Sequence, residues 1–370
     1  MRFLRSVSIL TAILGLGLVA PATAQDDTVN MHDGTKKTGK VEVYDFRTIK
    51  LTSQNGKIST NIKVEDAKSV EWGGKPKAFK EAESALAAGN DEDAATKLQA
   101  IIDDAKLRDV LKQEAYFLQA AAYANAGKNA EAADSLQKML AKFPQSHYIV
   151  AAHEMAVRAL LAAGKAADAV SFTQAEETRV GAIPDSRALT DGLKLLRCRV
   201  QLASNQGPQA KADLQTLANT AGPMAEQAKV MLGEVLLAEN NVAEAEKLFR
   251  DALKSTKAAQ VRAGAYNGLG EINFKKGYDG KKSDLLKDAL FSYLRTVVQF
   301  PPAAGDSSEY HEAAIFKAGC CFQALGDLEK DKDAQGRLFA RSRELFKRLL
   351  NDYKGSTLAG EAQTRLERMQ

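Results

Sequence analysis

The sequence holds few of the residues that covalent chemistry needs. Its 370 residues include 3 Cys, 4 His and 1 Trp. Cys198, Cys320 and Cys321 are odd in number, two are adjacent, and none stands at metal-ligand spacing from another. Adjacent residues on a helix point about 100° apart, which disfavours a bridge between Cys320 and Cys321. A bridge from Cys198 to either stays open, but the three are expected to serve as small buried hydrophobes. His153-Glu154 and His311-Glu312 begin like a zinc-protease helix. Val157 and Ile315 stand where the second histidine belongs, so both histidines read as ordinary helix residues. Nucleophile-elbow, phosphate-loop and calcium-loop patterns are missing as well. No cofactor, no metal and no enzymatic activity are expected.

Charge of one sign is also scarce. Lys and Arg total 51 against 47 Asp and Glu, for a net +4. Removing Arg2 and Arg5 with the segment described next leaves 49 against 47, or +2, so there is no electrostatic case for nucleic acid. Long apolar runs are absent too. The longest, Ser6 to Ala20, has 15 residues, where a membrane span needs about 20. Preceded by Arg2 and Arg5 and followed by Pro21 and Ala22-Thr23-Ala24, it reads as a secretory signal peptide over residues 1–24, cleaved after Ala24. No Cys follows it as a lipidation site. Gly15-Leu-Gly17 within it only imitates a dinucleotide fingerprint, because no strand precedes it and no helix follows. The alanine-rich stretch from Tyr148 to Ala163 is interrupted by His153, Glu154 and Arg158. The expectation is a periplasmic or secreted protein that is not integral to the membrane once the signal is removed.

From residue 25 to 74 the hydrophobic period is two. Val29-x-Met31, Val41-x-Val43, Ile49-x-Leu51, Ile58 to Ile62 and Val70-x-Trp72 read as five short strands. Asp33-Gly34, Asp45, Asn55-Gly56 and Glu65-Asp66 mark the turns between them. Strands this short enclose a core only if the sheet bends strongly, so a small barrel-like module or a strongly bent open sheet is expected. Val29-x-Met31-x-Asp33-Gly34, Gly39-x-Val41 and Asp45 follow the order of the first Sm motif, and the segment resembles the Sm-like (SH3-like) fold. The family's RNA-contacting Asn is Ile49 here, and the Arg-Gly pair of its second motif is missing. The module is therefore expected to dock or space rather than bind RNA.

Residues 75–370 change to alanine-rich segments of period 3.6, and self-similarity appears. Hairpin signals fall at Gly89, Gly127, Gly164, Gly207, Asn240-Asn241, Gly277 and Gly326, and Pro144, Pro184, Pro223 and Pro301 echo the period. Seven residues before the hairpins stand Ala82, Ala120, Val157, Val200, Gly233, Gly270 and Gly319; five after the first five stand Ala94, Ala132, Ala169, Ala212 and Ala245. Large residues fill the complementary positions, among them Tyr116, Tyr123, Leu136, Leu232, Leu236, Phe249, Leu269, Tyr293 and Phe346. On these residues the chain resembles the tetratricopeptide repeat (TPR).

The resemblance implies a mainly α fold, a TPR-type α-solenoid of antiparallel helix pairs with seven repeats and a closing helix from Leu358 to Met369. Repeats three and four read as degenerate, with Thr173 and Thr216 at the usual large apolar position. Seven extra residues are expected in the hairpin around Tyr278 to Asp284, and a longer insertion around Asp327 to Gly336, where Glu329 to Asp333 reads as solvated loop. Asn241 with Glu244 reads as a capping box. The segments Phe143-Pro144-Gln145-Ser146-His147-Tyr148 and Tyr353-Lys354-Gly355-Ser356-Thr357-Leu358 are similar to repeat endings of bacterial periplasmic TPR proteins of the cell envelope.

In that family residues two, five, nine and twelve of each first helix face a concave groove. Transferred by alignment, the groove candidates are Glu154 and Arg158 in repeat three, Lys194, Arg197 and Gln201 in repeat four, Gln227 and Glu234 in repeat five, and Asn267 and Glu271 in repeat six. Asn267 and Glu271 do not reproduce the Lys and Asn of carboxylate-clamp members, so recognition of a chain-terminal carboxylate is not expected. The implied function is a non-enzymatic envelope scaffold holding protein or peptide partners. The rival is a cell-wall or glycan-binding accessory protein using the β module.

Overall fold

The computed structural model describes residues 26–302, 308–353 and 356–369. The expected signal segment lies outside them. Five strands come first: β1 (Asp27–Met31), β2 (Lys36–Tyr44), β3 (Thr48–Thr52), β4 (Ser59–Lys63) and β5 (Ala67–Glu71). All pairings are antiparallel, in the order β4-β3-β2-β1-β5. The strands stand where the period of two puts them. The sheet is open, with β4 and β5 at opposite edges, one of the two expected forms.

Asp33, Asp45 and Asn55 each bond the backbone of their own turn. The Asp45 carboxylate accepts from the backbone N–H of Arg47 at 2.8 Å and of Thr48 at 2.7 Å, which closes the β2–β3 turn. A Cβ at Gly39 would lie 2.5 Å from the Thr52 carbonyl oxygen, so only glycine lets β2 approach β3 so closely.

Fifteen helices follow among the described residues. Seven antiparallel pairs are α1 (Lys77–Ala87) with α2 (Asp91–Asp103), α3 (Asp109–Asn125) with α4 (Asn129–Lys142), α5 (Ile149–Ala162) with α6 (Ala166–Gly181), α7 (Arg187–Ala203) with α8 (Gly207–Ala218), α9 (Pro223–Ala238) with α10 (Val242–Ser255), α11 (Ala259–Asp279) with α12 (Ser283–Gln299), and α13 (Glu309–Leu328) with α14 (Lys332–Asp352). Helix α15 (Ala359–Arg368) closes the chain.

Six of the seven hairpins are one and the same turn. Gly89, Gly127, Gly164, Asn205, Asn240 and Lys281 adopt the left-handed conformation, with φ from 50° to 76°. The residue after each donates its N–H back five positions, as in Asn90 to Ala85 at 2.9 Å and Gln206 to Gln201 at 2.8 Å, the Schellman closure. The carbonyl of that same residue then accepts the first bond of the next helix, as in Ala94 to Asn90 at 3.0 Å. One residue thus ends one helix and begins the next, so no side-chain cap is needed. Asn241 accordingly spends its side chain on Glu244, donating to the carboxylate at 2.7 Å, and makes no capping bond to the backbone, contrary to the expected box.

The turn residue sets the register, and in repeat four it is Asn205, not Gly207. Counting from Asn205, the small positions are Cys198 and Ala210 and the large one is Leu214, all 0% exposed. Repeat four is therefore regular; Ala212 and Thr216, which the glycine anchor selected, are exposed. Repeat three keeps its departure. Thr173 is buried, and its hydroxyl donates to the carbonyls of Ala169 and Val170.

Pairs six and seven correct a second expectation. Gly277 and Gly326 lie inside helices, and the extra residues extend the helices instead of forming loops. In pair six, Lys281 stands 11 residues after Gly270 and 12 before Tyr293, where pair five has 7 and 9 around Asn240. The seven extra residues divide into about one turn for each helix, which keeps the same face inward. In pair seven only Glu329 to Asp331 join the helices, and Lys332 and Asp333 already belong to α14.

The small columns are contact surfaces. A Cβ at Gly233 would come within 2.7 Å of the Phe249 ring, at Gly270 within 2.9 Å of Tyr293 and at Gly319 within 2.7 Å of Phe346. These three rings are at most 1% exposed. Where alanine was expected in repeat seven, Ser342 is buried and its hydroxyl donates to the Gly319 carbonyl at 2.8 Å.

The chain divides into two compact units, one ending at Leu189 and one beginning at Thr190. In the first, the sheet and the helices share a core that runs from Val29, Val41 and Ile49 through Phe79 and Leu98 to Leu111. In the second, one cluster centres on Leu214, Leu236 and Phe249 and another on Tyr293, Ile315 and Phe346.

Candidate functional site

In the second unit the first helices α9, α11 and α13 touch one another in sequence. Their shared face carries a polar group centred on Glu234. Burial pushes the Glu234 carboxyl up to about 7; the Tyr310 hydroxyl and Arg199 guanidinium oppose the rise, and Glu309 adds to it. Burial also raises the Tyr310 phenol well above its ordinary range. Gly264 makes room for this tyrosine, since a Cβ there would lie 2.7 Å from both Tyr310 Cζ and Val230 Cγ1. A carboxyl poised near neutrality beside a phenol and an exposed guanidinium can donate and accept hydrogen bonds. That suits the backbone and polar side chains of an extended chain.

The other expected face residues divide into two kinds. Asn267 donates to the Tyr310 carbonyl at 2.7 Å, which ties α11 to α13. Glu271 accepts from the Tyr293 hydroxyl at 2.9 Å and pairs with Lys317 at 2.8 Å, which ties α11 to α12 and α13. Both are structural fasteners. Gln227 is half-buried on α9, near the start of the face.

In repeat four the two-residue register shift turns the assignment by about 200°. Arg197 points into its own hairpin and pairs with Asp213 of α8 at 2.9 Å, and Gln201 is buried beneath the turn. Lys194 is half-buried on the same helix. Position nine of this repeat is Arg199, the residue beside Glu234. Arg199 and Tyr310 were not found from sequence. Asn205 was the available signal, because Asn, like Gly, accepts the left-handed seat of a Schellman turn.

In the first unit, Glu154 and Arg158 are exposed on α5. Their neighbour His153 is 3% exposed and meets Glu176 of α6 at 2.7 Å. Burial works to raise the Glu176 carboxyl, but hydrogen bonds from His153 and Arg179 outweigh it and hold the group at about 2. His311, in the second unit, has both ring nitrogens engaged, Nε2 with the Val297 carbonyl at 3.2 Å and Nδ1 with the Tyr353 hydroxyl at 2.7 Å. The carbonyl can only accept, so Nε2 carries the proton and Nδ1 receives one from tyrosine. Burial pushes the Cys320 thiol up to about 11 and Cys321 higher still, which makes both poor nucleophiles. Among the described residues, no His, Cys, Asp and Glu cluster is placed to hold a metal ion, and no helix is long and apolar enough to cross a membrane.

The sheet meets the repeats through the segment that resembles envelope TPR endings. Phe46 donates its N–H to the Gln145 carbonyl at 3.0 Å, and Tyr44 stacks on His147 with centroids 3.6 Å apart. His147 in turn lies against Tyr148, which stacks on Phe117. The second such ending repeats the local bonding. Ser146 and Ser356 each donate N–H to the carbonyl three residues back and accept from the N–H two residues on at the side-chain oxygen.

The tetratricopeptide-repeat family model matches residues 79–147 and 195–260. These two segments are tetratricopeptide repeats. They cover pairs one and two and pairs four and five, including the pair whose register Asn205 restores. A TPR protein from Parabacteroides merdae is 14% identical in sequence, over 79% of this chain and 97% of that one, with a TM-score of 0.49. BtubC (BKLC) from P. vanneervenii is 13% identical over 61% and 91%, with a TM-score of 0.44. The C-terminal part of a TPR protein from Cytophaga hutchinsonii is 13% identical over 77% and 98%, with a TM-score of 0.40. At such identities nothing about partners transfers. Among proteins with curated descriptions, none matches the chain.

Proposed function

We propose that the protein is an exported, non-enzymatic scaffold of the cell envelope that holds an extended segment of a partner protein against the first-helix face of repeats four to six. The observation that carries this reading is the Glu234 group. Arg199 and Glu234 occupy the repeat positions that face a ligand in the TPR family; Arg199 is exposed and Glu234 is half-buried against the Tyr310 hydroxyl, while Asn267 and Glu271 fasten helices together. Export rests on the sequence of residues 1–24, and the envelope assignment on the signal and the two similar repeat endings.

Photo-crosslinking amino acids placed singly at Arg199, Gln227 and Glu234 in the full chain test the reading, with exposed Lys247 on α10 as control. The expected result is a shared crosslinked protein from the three face positions that is absent from Lys247. The same products from all four positions would reject the face. N-terminal sequencing of the mature protein tests export, with Gln25 expected first.

A further inference from the structure

The lengthened helices of pairs six and seven come together at the start of α12, the end of α13 and the start of α14. Between α12, α13 and α14 lies a cavity of about 430 Å³. Leu325, Leu328 and Leu338 supply apolar lining, and Lys287, Arg337 and Arg341 supply three cations against one carboxylate, Glu329. The existing ion pairs are weak competitors. Lys287 reaches Asp284 at 3.7 Å and Arg341 reaches Glu344 at 3.1 Å, each on its own helix and each well exposed. Arg337 makes no ion pair among the described residues. The α14 segment carries six Lys and Arg against three Asp and Glu, so the excess of positive charge extends beyond the cavity.

We propose that this cavity is a second docking site, separate from the first-helix face, and that its occupant is an acidic amphipathic segment of a partner protein. Leucine-sized side chains of the segment pack on the three leucines, and flanking carboxylates answer Lys287, Arg337 and Arg341. Charge decides the occupant. A basic segment would meet three cations, whereas a lone small anion would leave the leucines unused.

The test is fluorescence anisotropy of the full chain with two labelled helical peptides that share a leucine stripe, one flanked by glutamates and the other by lysines. The acidic peptide is expected to bind at least about tenfold tighter than the basic one, and to lose at least about tenfold in affinity on charge reversal. The reversal is Arg337→Glu with Arg341→Glu, both exposed, with thermal melts confirming the fold; Lys287→Glu serves if that protein fails to fold. Glu234→Gln is expected to leave binding unchanged, which separates this site from the face. Equal binding of both peptides, no loss on charge reversal, or an equal loss with Glu234→Gln would overturn the proposal. So would binding only to phosphatidylglycerol vesicles, which would make the patch a lipid-surface contact.

Discussion

Asp27 and Arg108, 81 residues apart, form a two-pronged ion pair with N–O distances of 2.7 and 2.9 Å, and Asp27 is 1% exposed. The same carboxylate accepts from the N–H groups of Val41 at 2.8 Å and Gly73 at 2.9 Å. A single side chain on β1 thus holds β2, the linker after β5 and the start of α3. Losing the Asp27 charge leaves the half-buried Arg108 guanidinium and the N–H groups of Val41 and Gly73 with a poorer partner, which costs roughly 1–3 kcal/mol. Asp27→Asn is expected to lower stability by about that much in urea unfolding, and Arg108→Lys, which keeps the charge but loses the fork, by less. Equal midpoints for Asp27→Asn and parent would show the pair to be dispensable.

Acid is expected to loosen the seam between sheet and repeats. Burial pushes the His147 imidazole down to about 4, so it is neutral in its stack with Tyr44 and Tyr148. The unfolded chain takes up that proton near 6.5, so this contribution is whole above 6.5 and is lost as pH falls toward 4. The loss amounts to roughly 2 kcal/mol by pH 5 and roughly 3 kcal/mol by pH 4. His147→Phe keeps an aromatic ring in the stack. Its unfolding free energy is expected to fall less than the parent's between pH 7 and 5, and parallel curves would contradict the assignment.

Glu234 acts with the opposite sign. Its carboxyl is raised from 4.5 to about 7, so its neutral form favours folding below pH 4.5, and that benefit drains away as pH rises through 7. Glu234→Gln, which cannot ionise, is expected to gain on the parent by roughly 3 kcal/mol between pH 4.5 and 8. Denaturant curves at both pH values decide it, and a constant difference would mean that Glu234 is not desolvated.

The left-handed turn seats give paired predictions. Lys281 occupies one with φ 50°, and Gly127 another with φ 76° and nothing within 4 Å of a Cβ built there. Lys281→Gly is expected to raise stability and Gly127→Ala to lower it, each by roughly 1 kcal/mol, because the backbone conformation is the whole difference. Thermal melts that move both variants the same way would show other effects in control.

Much of the fold was legible because its signals are local. Val29, Val41 and Ile49 fall on one face of alternating strands, and Gly233 with Phe249 or Gly319 with Phe346 are compositional signs of close helix pairing. The misreadings were local as well. Gly207 drew the repeat-four anchor from Asn205, since glycine is the commoner left-handed residue but not the only one that can take the seat. That error of two residues sent the ninth-position assignment from Arg199 to Gln201. The Asp27–Arg108 pair and the Tyr44–His147 stack were illegible for another reason. They join distant segments, and no period or spacing encodes which charge or ring will meet which.

The lengthened helices of pair six imply a rule of phase for the whole array. An addition of four residues to one helix and three to its partner leaves both almost in step with the 3.6-residue period, so Tyr293 still lands on Gly270. An addition of two residues to either helix would swing its buried stripe toward solvent. Growth of such an array by insertion is therefore confined to near-whole turns shared between partners. Each permitted step pushes new side chains past the row of turns, and a surface can be gained there without disturbing the packing beneath it.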